Sequence, residues 1–516
     1  MGEKGGQGVM TVRTRFAPSP TGQIHVGNIR TAIFNWLFAR HEKGEFLLRL
    51  EDTDAARSTK EACEAVLEAM EWLGLDFDGD PLYQSSRRDQ HLQAAKKLIL
   101  EGSAYQKPDG SVWFRIPMSD VPEIWDAGET EIKVSWARIT DEGFQLGTGE
   151  EPAEIPLAAA RDMKMYSADK KKIFDMSEPS DGLELPHVFE SARYVRYTRR
   201  VMEYADLVKG RLEKPLESMK DFALVRAGGT PVFHLANVLD DIWQGITHVI
   251  RGDDHVDNTF KHILIFRAMN AAPPAYAHLP MIVNPEGKPY SKRDGAAYIG
   301  DFKGAGFVPD AMINSLALLG WSPKGPELMT RRELIDSFDL SRCHKSPARM
   351  DTAKMKKFNG RHISMMDPEA FAEAVRPYAS MRGWDGEEKL FRAVCLLMQS
   401  RTKTLDGLDD WEGFFTNPSH LYDKAVLEKE VRPFRKALKD FKEAVMWYSG
   451  FGKEILTLAV HKAEQDNGLK AWALNQPLRY ALTGSLTGAD IIGVLLVLGP
   501  VKTSERLDEL EEAWSR

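Results

Sequence analysis

RFAPSPTGQIHVGN, residues 15–28, predicts a short strand, a turn punctuated by proline and glycine, and the start of a helix. Helical spacing of apolar residues continues to about Arg40. The free N–H groups at the helix start would face the turn, which favours phosphate binding there. His25 could donate a hydrogen bond at this point, and Gly27 would let a ligand approach the backbone closely. The stretch therefore outlines a nucleotide site, although a structural histidine beside a common glycine turn is the alternative.

The composition limits the class of protein. The chain has 516 residues, of which 43% are hydrophobic and 28% charged, as in globular proteins of about two to four domains. No apolar run is long enough to span a bilayer. The three cysteines, Cys63, Cys343 and Cys395, lie far apart and indicate neither a disulfide framework nor a zinc motif. We therefore expect a cytoplasmic protein with no membrane association.

The net charge of −8 argues against indiscriminate binding of nucleic acid. A selective RNA partner would need local basic faces. Two basic clusters occur at residues 170–172 and at Arg193, Arg196, Arg199 and Arg200. Each cluster is either a solvated surface or a contact with the acceptor end of an RNA.

Two buried strands end in polar residues. The predicted strand Glu45–Leu50 runs into residues 51–54, and the strand Ile246–Ile250 runs into Arg251–His255. Ligands of open α/β sheets bind at the carboxyl ends of their strands. Strands alternating with helices predict a doubly wound parallel sheet.

Three weaker patterns complete this half of the chain. Ser58 and Glu61 form a capping-box pattern before a helix that ends near Leu73. Residues 222–226 predict a strand that resumes the α/β pattern, and residues 279–283 predict another. Beyond about Phe307 the segments are amphipathic and helical.

The fourteen residues 15–28 resemble the signature of class I aminoacyl-tRNA synthetases, in the glutamyl-tRNA synthetase branch. Residues 291–293, Ser-Lys-Arg, resemble the second nucleotide motif of that class. Pro289 stands where the family usually has a lysine, and Asn28 where it often has a second histidine. Further resemblances to the branch lie in residues 49–54, 250–255, 318–321, 345–351 and 476–484.

The resemblance implies a fold and a domain order. The fold would be an α/β, Rossmann-like doubly wound parallel sheet with an acceptor-end insertion, followed by an all-α anticodon-binding half. The order would be a flexible tail (1–10), a catalytic domain (11–116 and 201–305), an atypical insertion (117–200), a stem-contact helical junction (306–365) and a helical anticodon-binding domain (366–516).

The resemblance also implies site residues. The catalytic set would be His25, Gly27, Asn28, Ser291, Lys292 and Arg293. The glutamate-binding set would be Arg15, Ala17, Ser19, Glu51, Phe233, Asn237 and Arg251. The ATP-binding set would be His25, Gly27, Asp254 and Lys292. Many relatives have a tyrosine at the position of Phe233, so one hydroxyl donor is missing here.

The activity implied is that of a glutamate–tRNA ligase, which forms glutamyl-adenylate from L-glutamate and ATP and transfers the glutamyl group to tRNA(Glu). Mg²⁺ would accompany ATP, and no zinc or other protein-bound metal is predicted. By family habit we expect a monomer. The sequence leaves open whether tRNA(Gln) is also charged and whether adenylation requires tRNA. The alternatives are a glutaminyl-tRNA synthetase, a small-molecule nucleotidyltransferase and a non-catalytic RNA-binding paralogue.

Overall fold

A computed structural model describes residues 11–53, 58–178, 183–448 and 450–514. The chain divides into two compact units. The first extends to Ile299 and includes Leu316–Met350, and the second comprises Gly300–Ser315 and the chain from Asp351 onward. Two sequence predictions, the tail at residues 1–10 and the contribution of Asp54 to the polar cluster, lie outside the described residues.

The first part of the chain alternates strands with helices, as predicted. In chain order it contains β1 (Arg13–Phe16), α1 (Val26–His41), β2 (Glu45–Leu50), α2 (Lys60–Leu73), β3 (Leu82–Tyr83), α3 (Arg88–Leu100), β4 (Ala104–Gln106) and β5 (Val112–Phe114). The predicted cap of α2 is wrong by one residue, because the Thr59 side chain, not that of Ser58, accepts the hydrogen bond from the Ala62 N–H.

The segment that follows is built of strands. It contains β6 (Ile124–Lys133), β7 (Ala137–Ile139), β8 (Gly143–Leu146), β9 (Ala153–Pro156), β10 (Lys164–Tyr166), β11 (Lys172–Asp175), β12 (His187–Phe189), β13 (Tyr194–Asp206) and β14 (Gly210–Pro215). β13 is 13 residues long and pairs with β6, β10 and β14. β7, β8, β9 and β12 form a separate antiparallel sheet.

The α/β pattern then returns with β15 (Phe222–Val225), α4 (Phe233–Gln244), β16 (His248–Gly252), α5 (Val256–Ala268), β17 (Ala275–Leu279) and β18 (Ile282–Val283). β15 pairs antiparallel with β5 rather than joining the parallel strands. The strand predicted over residues 279–283 is interrupted, since β17 ends at Leu279, before Pro280, and only Ile282–Val283 form a strand beyond it. Proline has no N–H to donate to a neighbouring strand.

A parallel sheet underlies the first unit. β1 pairs with β2, β2 with β3, and β16 with β17, all in parallel. β16 lies beside β1, because the Thr247 N–H donates to the Arg13 carbonyl at 3.0 Å. The strand order is therefore β3-β2-β1-β16-β17, and it reverses between β1 and β16. Such a reversal opens a crevice at the carboxyl ends of the strands, where ligands bind.

The rest of the chain is mainly helical, as predicted. It contains α6 (Ile299–Gly304), α7 (Pro309–Ala317), α8 (Arg331–Ser337), β19 (Ala348–Arg349), α9 (Thr352–Met365), α10 (Pro368–Ser380), α11 (Glu388–Met398), α12 (Glu412–Phe415), α13 (Lys424–Val426), α14 (Arg435–Trp447), α15 (Lys453–Asp466), α16 (Asn475–Thr483) and α17 (Ile491–Ala513). α17 is kinked at Gly499, which has a φ of 73° and precedes Pro500. The second unit packs around its own apolar core, which includes Phe371, Phe391 and Phe441.

Candidate active site

The turn after β1 ends in a histidine that caps α1. Nδ1 of His25 accepts a hydrogen bond from the Gly27 N–H at 3.1 Å. In a neutral imidazole the hydrogen then resides on Nε2, which is left as a donor. Burial lowers the pKa of His25, and a hydrogen bond to the Tyr290 backbone partly offsets this effect. The helix start therefore presents N–H groups and a neutral imidazole donor at one point.

The structure brings the two predicted nucleotide loops together. The Val26 N–H donates to the Ala297 carbonyl at 2.9 Å, and the Ile299 N–H donates to the Ile24 carbonyl at 3.0 Å. These bonds flank an antiparallel bridge between His25 and Tyr298. The segment that follows Ser291–Arg293 thus lies against the segment that starts α1.

The second loop is held by one carboxylate. Oδ2 of Asp294 accepts hydrogen bonds from the N–H and the hydroxyl of Ser291, both at 2.9 Å. Its Oδ1 accepts from Nδ2 of Asn284 at 2.7 Å. Lys292 begins a short 3₁₀ turn that ends at Asp294. Pro289 lies opposite Val283 in an isolated antiparallel bridge. The backbone path of the loop is therefore fixed by side chains of the loop itself.

A buried ion network lies at the carboxyl ends of β1 and β2. Arg15 donates from Nε to Oδ1 of Asp241 at 3.0 Å, and Arg49 donates to the same oxygen at 2.7 Å. Arg49 also lies 3.4 Å from Oε1 of Glu51. Burial opposes ionisation of Asp241, but Arg15 and Arg49 hold its pKa below the ordinary value. Arg15 is therefore largely neutralised by Asp241, which sequence reasoning did not anticipate.

Asn237 joins this network from α4. Its Nδ2 donates to Oε1 of Glu51 at 2.7 Å, and its Oδ1 is buried without a hydrogen-bond partner among the described residues. Burial raises the pKa of Glu51. The two residues predicted to hold opposite ends of an amino acid are thus in direct contact, and each retains hydrogen-bonding capacity for a ligand.

Arg251 has different surroundings, because its partners are neutral. Its guanidinium donates to Nε2 of His278 at 3.2 Å and to Oγ1 of Thr259 at 2.6 Å, and it lies 3.4 Å from Nδ1 of His262. Burial lowers the pKa of Arg251 to about 10. Burial, reinforced by Arg251, also lowers the pKa of His262 well below its ordinary value. Within the described residues, no carboxylate forms an ion pair with Arg251.

The three guanidiniums of this crevice differ in their counter-ions. Arg15 pairs with Asp241, and Arg49 pairs with both Asp241 and Glu51. Arg251 contacts no carboxylate among the described residues and is linked to the buried Asp206 only through His278. A buried guanidinium without a carboxylate in direct contact is suited to an anionic ligand.

The other predicted site residues differ in exposure. Ala17, Phe233 and Ser291 are half-buried, whereas four others are exposed: Ser19, Asn28, Asp254 and Arg293. The Phe233 ring lies 5.3 Å from that of His262 and 5.4 Å from that of His255. Three functional candidates were missed from the sequence: Asp206, Asp241 and His278. Nothing local in the sequence marks Asp206 or His278, because their partners lie far away along the chain.

Four of the seven residues in the two basic clusters form ion pairs. Arg196 lies 2.5 Å from Glu131, and Arg200 lies 2.9 Å from Asp162. Arg199 pairs with Glu217, and Lys172 pairs with Asp175. The three pairs of the second cluster favour its surface interpretation, whereas in the cluster at 170–172 only Lys172 is paired among the described residues.

Neither a metal cluster nor a membrane-spanning helix occurs among the described residues. Across residues 11–53, 58–178, 183–448 and 450–514, no group of three or more His, Cys, Asp or Glu side chains could hold a metal ion. No helix in the described part of the chain is long and apolar enough to cross a membrane.

Comparison with protein families defines the class. A family model described as "tRNA synthetases class I (E and Q), catalytic domain" matches residues 11–110 and 162–357. A second model, an anticodon binding domain, matches residues 370–510. The parallel sheet, the capped turn at His25 and these matches together define a class I tRNA synthetase.

Individual relatives narrow the class to a family. The glutamate–tRNA ligase of Polynucleobacter necessarius subsp. necessarius is 35% identical over 507 residues, which cover 97% of this chain and 99% of that protein. The glutamate–tRNA ligase of Neisseria meningitidis serogroup C is 35% identical over 503 residues, which cover 96% of this chain and 100% of that protein. A crystal structure of a glutamate tRNA ligase from Elizabethkingia meningosepticum in complex with its amino acid superposes with a TM-score of 0.71, at 27% identity over 97% of this chain and 99% of that one. The chain belongs to the glutamate–tRNA ligase family.

Proposed function

We propose that this protein is a glutamate–tRNA ligase. In the first step a carboxylate oxygen of glutamate attacks the α-phosphorus of ATP, and the bond to pyrophosphate breaks. In the second step the terminal ribose hydroxyl of tRNA(Glu) attacks the glutamyl carbonyl, and AMP leaves. No protein nucleophile is required, so positioning and charge stabilisation supply the rate.

The lack of a carboxylate in direct contact with Arg251 among the described residues supports glutamate over glutamine. L-Glutamate carries a second carboxylate, on its side chain, that can pair directly with this buried guanidinium. Glutamine has no side-chain carboxylate to offer Arg251. This complementarity is the observation on which the proposal rests.

The roles of individual residues are part of the proposal. Arg251 and Arg15 bind substrate carboxylates, Glu51 and Ser19 bind the ammonium group, and Asn237 adds a polar contact. His25 and the start of α1 at Gly27 and Asn28 stabilise charge on the phosphates. Ser291–Arg293 and Asp254 complete the ATP site, and Ala17 lines the amino-acid site beside Phe233.

The cofactor and the partners follow from the reaction. Mg²⁺ would accompany the triphosphate of ATP, and we propose that the protein holds no zinc. The insertion at 117–200 would approach the acceptor end of tRNA, the junction at 306–365 its stem, and the helical segment at 366–516 its anticodon. We further propose a cytoplasmic monomer.

Aminoacylation assays test the proposal. Purified protein is incubated with ATP, tRNA and either glutamate or glutamine, with reactions lacking tRNA or amino acid as controls. We expect tRNA(Glu) to be charged with glutamate. Charging with glutamine alone would indicate the glutaminyl enzyme. Amino-acid-dependent consumption of ATP without charging of any tRNA would indicate a nucleotidyltransferase, and no consumption at all would indicate a non-catalytic paralogue.

A variant of Arg251 tests the charge argument directly. Arg251→Gln should lower kcat/KM for glutamate by about 100- to 1,000-fold, because the substrate carboxylate loses its buried counter-ion. Arg13→Gln is a matched control on β1, since Arg13 pairs with the half-exposed Glu45. An Arg251→Gln enzyme that charges glutamate normally would contradict the proposed role of Arg251.

A further inference from the structure

A buried tyrosine beside Arg251 has an unused hydroxyl group. Tyr276 lies on β17 and is 3% exposed. Its hydroxyl is buried and has no hydrogen-bond partner among the described residues. A buried polar group without a partner is unfavourable and calls for an explanation, such as a ligand that is yet to bind.

The surroundings of Tyr276 are those of the amino-acid site. The guanidinium carbon of Arg251 lies 5.6 Å from the centre of the Tyr276 ring, and the ring of His278 is stacked on the same tyrosine. Arg251, Asp241 and Arg15 all act electrostatically on the hydroxyl. Burial raises the pKa of Tyr276, so the hydroxyl stays protonated and can act as a donor.

The position of Tyr276 along the sheet identifies which end of the substrate it would meet. Arg251 pairs in register with His278, whereas Tyr276 pairs with Val249, two residues farther from the carboxyl-end edge of the strands. Two residues span roughly 6.6 Å along a parallel strand. The α-carboxylate must face ATP at the His25 turn, on that edge. The inner end of the crevice therefore receives the side chain of the amino acid.

We propose that the hydroxyl of Tyr276 donates a hydrogen bond to the side-chain carboxylate of bound glutamate, beside Arg251. This contact would supply the hydroxyl donor that Phe233 does not have. Tyr276 would then be a specificity-determining residue of this chain. The inference rests on the proposed function, because it assigns a role within the same glutamate site.

The test is Tyr276→Phe, which removes the hydroxyl and keeps the ring. We expect KM for glutamate to rise about tenfold, as for one lost hydrogen bond to a charged group. Values of KM for ATP and tRNA should change less than about twofold. Because the hydroxyl has no hydrogen-bond partner in the described part of the chain, the thermal unfolding temperature without glutamate should be unchanged or higher. A fall in that temperature with an unchanged KM for glutamate would show a purely structural hydroxyl and overturn the inference.

Two further variants sharpen the test. Tyr204→Phe is a matched control, because Tyr204 is buried on β13, on the other side of β17 from β16, with its ring 5.9 Å from that of Tyr276. It should leave KM for glutamate within about twofold of the unmodified enzyme. The double variant Phe233→Tyr/Tyr276→Phe should recover most of the lost affinity. An equal rise in KM for Tyr204→Phe, or no recovery in the double variant, would contradict the assignment.

The unmodified enzyme separates this inference from the proposed function. If it does not charge tRNA with glutamate, the proposed function fails. If it does so and Tyr276→Phe behaves identically, only the role of Tyr276 fails.

Discussion

Nδ1 of His278 lies 2.6 Å from Oδ2 of Asp206, and both side chains are fully buried. Asp206 ends β13, in the strand-rich segment that follows β5, whereas His278 lies on β17 in the parallel sheet. An Nδ1–H that donates to Asp206 leaves Nε2 of His278 free to accept from Arg251. The last residue of β13 therefore sets which hydrogen-bonding face His278 presents to Arg251.

Replacement of Asp206 tests this chain of contacts. In Asp206→Asn the amide N–H would donate to Nδ1 of His278, so the imidazole hydrogen would move to Nε2. Two N–H donors, those of His278 and Arg251, would then face each other. We expect KM for glutamate to rise about tenfold with a smaller change in kcat. Asp162→Asn removes a carboxylate from the Arg200 pair within the insertion and serves as the control. Unchanged glutamate kinetics in Asp206→Asn would refute the positioning role.

Asp241 should be a major determinant of stability. Asp241→Asn would leave Arg15 and Arg49 with a neutral partner inside the protein. We expect a loss of about 3–5 kcal/mol in the free energy of unfolding, measured with urea. Asp76→Asn, which alters an exposed carboxylate paired with the half-buried Arg40, should cost less than about 1 kcal/mol. Equal losses in the two variants would contradict the central role of the buried network.

The cap and the donor functions of His25 can be separated. Asn can replace the capping acceptor but lacks the imidazole N–H. His25→Asn should therefore lower kcat about 100-fold while the unfolding temperature changes little. His25→Ala should lower kcat similarly and also cost about 1 kcal/mol of stability, because α1 loses its cap. If His25→Asn keeps full activity, the imidazole does not stabilise the reacting phosphates.

Stability should fall as the pH drops below neutrality. Burial, with help from Lys261 and Arg251, lowers the pKa of His234 to about 4. In the unfolded chain this histidine takes up a proton near pH 6.5, whereas in the folded protein it stays neutral. Its contribution is thus fully present above pH 6.5 and is lost progressively between pH 6.5 and 4.

The measurement is urea unfolding at several pH values between 7 and 4. His234 should account for up to about 3 kcal/mol of the decline across this range. His234→Gln should make the pH dependence shallower. His420→Gln is the control, because His420 is exposed in the other unit and a hydrogen bond to Glu412 raises its pKa instead of lowering it. This variant should not make the decline in stability toward low pH shallower. An identical pH profile for His234→Gln and the unmodified protein would contradict the assignment.

Local signals in the sequence predicted the elements that form locally. The turn at residues 15–28, helix α1 and strand β2 follow from apolar spacing and from the conformations that proline and glycine favour. The ion pair between Arg15 and Asp241 joins residues 226 positions apart, and no local pattern could predict it. The same holds for Asp206 and His278, which are 72 positions apart. The fold joins Arg15, Glu51 and Asn237, which the sequence named, in one buried network, but the carboxylate that neutralises Arg15 became visible only in the fold.

β13 is long enough for its first residues to pair with the variable segment while its last residues contact the parallel sheet. Residues 111–161 fall outside the matched family model, yet their backbone pairing with β13 extends no farther than Glu203, whose N–H donates to the Glu123 carbonyl. The register at Asp206, opposite Tyr276, is set downstream of that pairing by β14 and β17. Loops of the insertion could therefore be lengthened, trimmed or exchanged by an engineer, or by evolution, without displacing the amino-acid pocket, provided that the last residues of β13 keep their register.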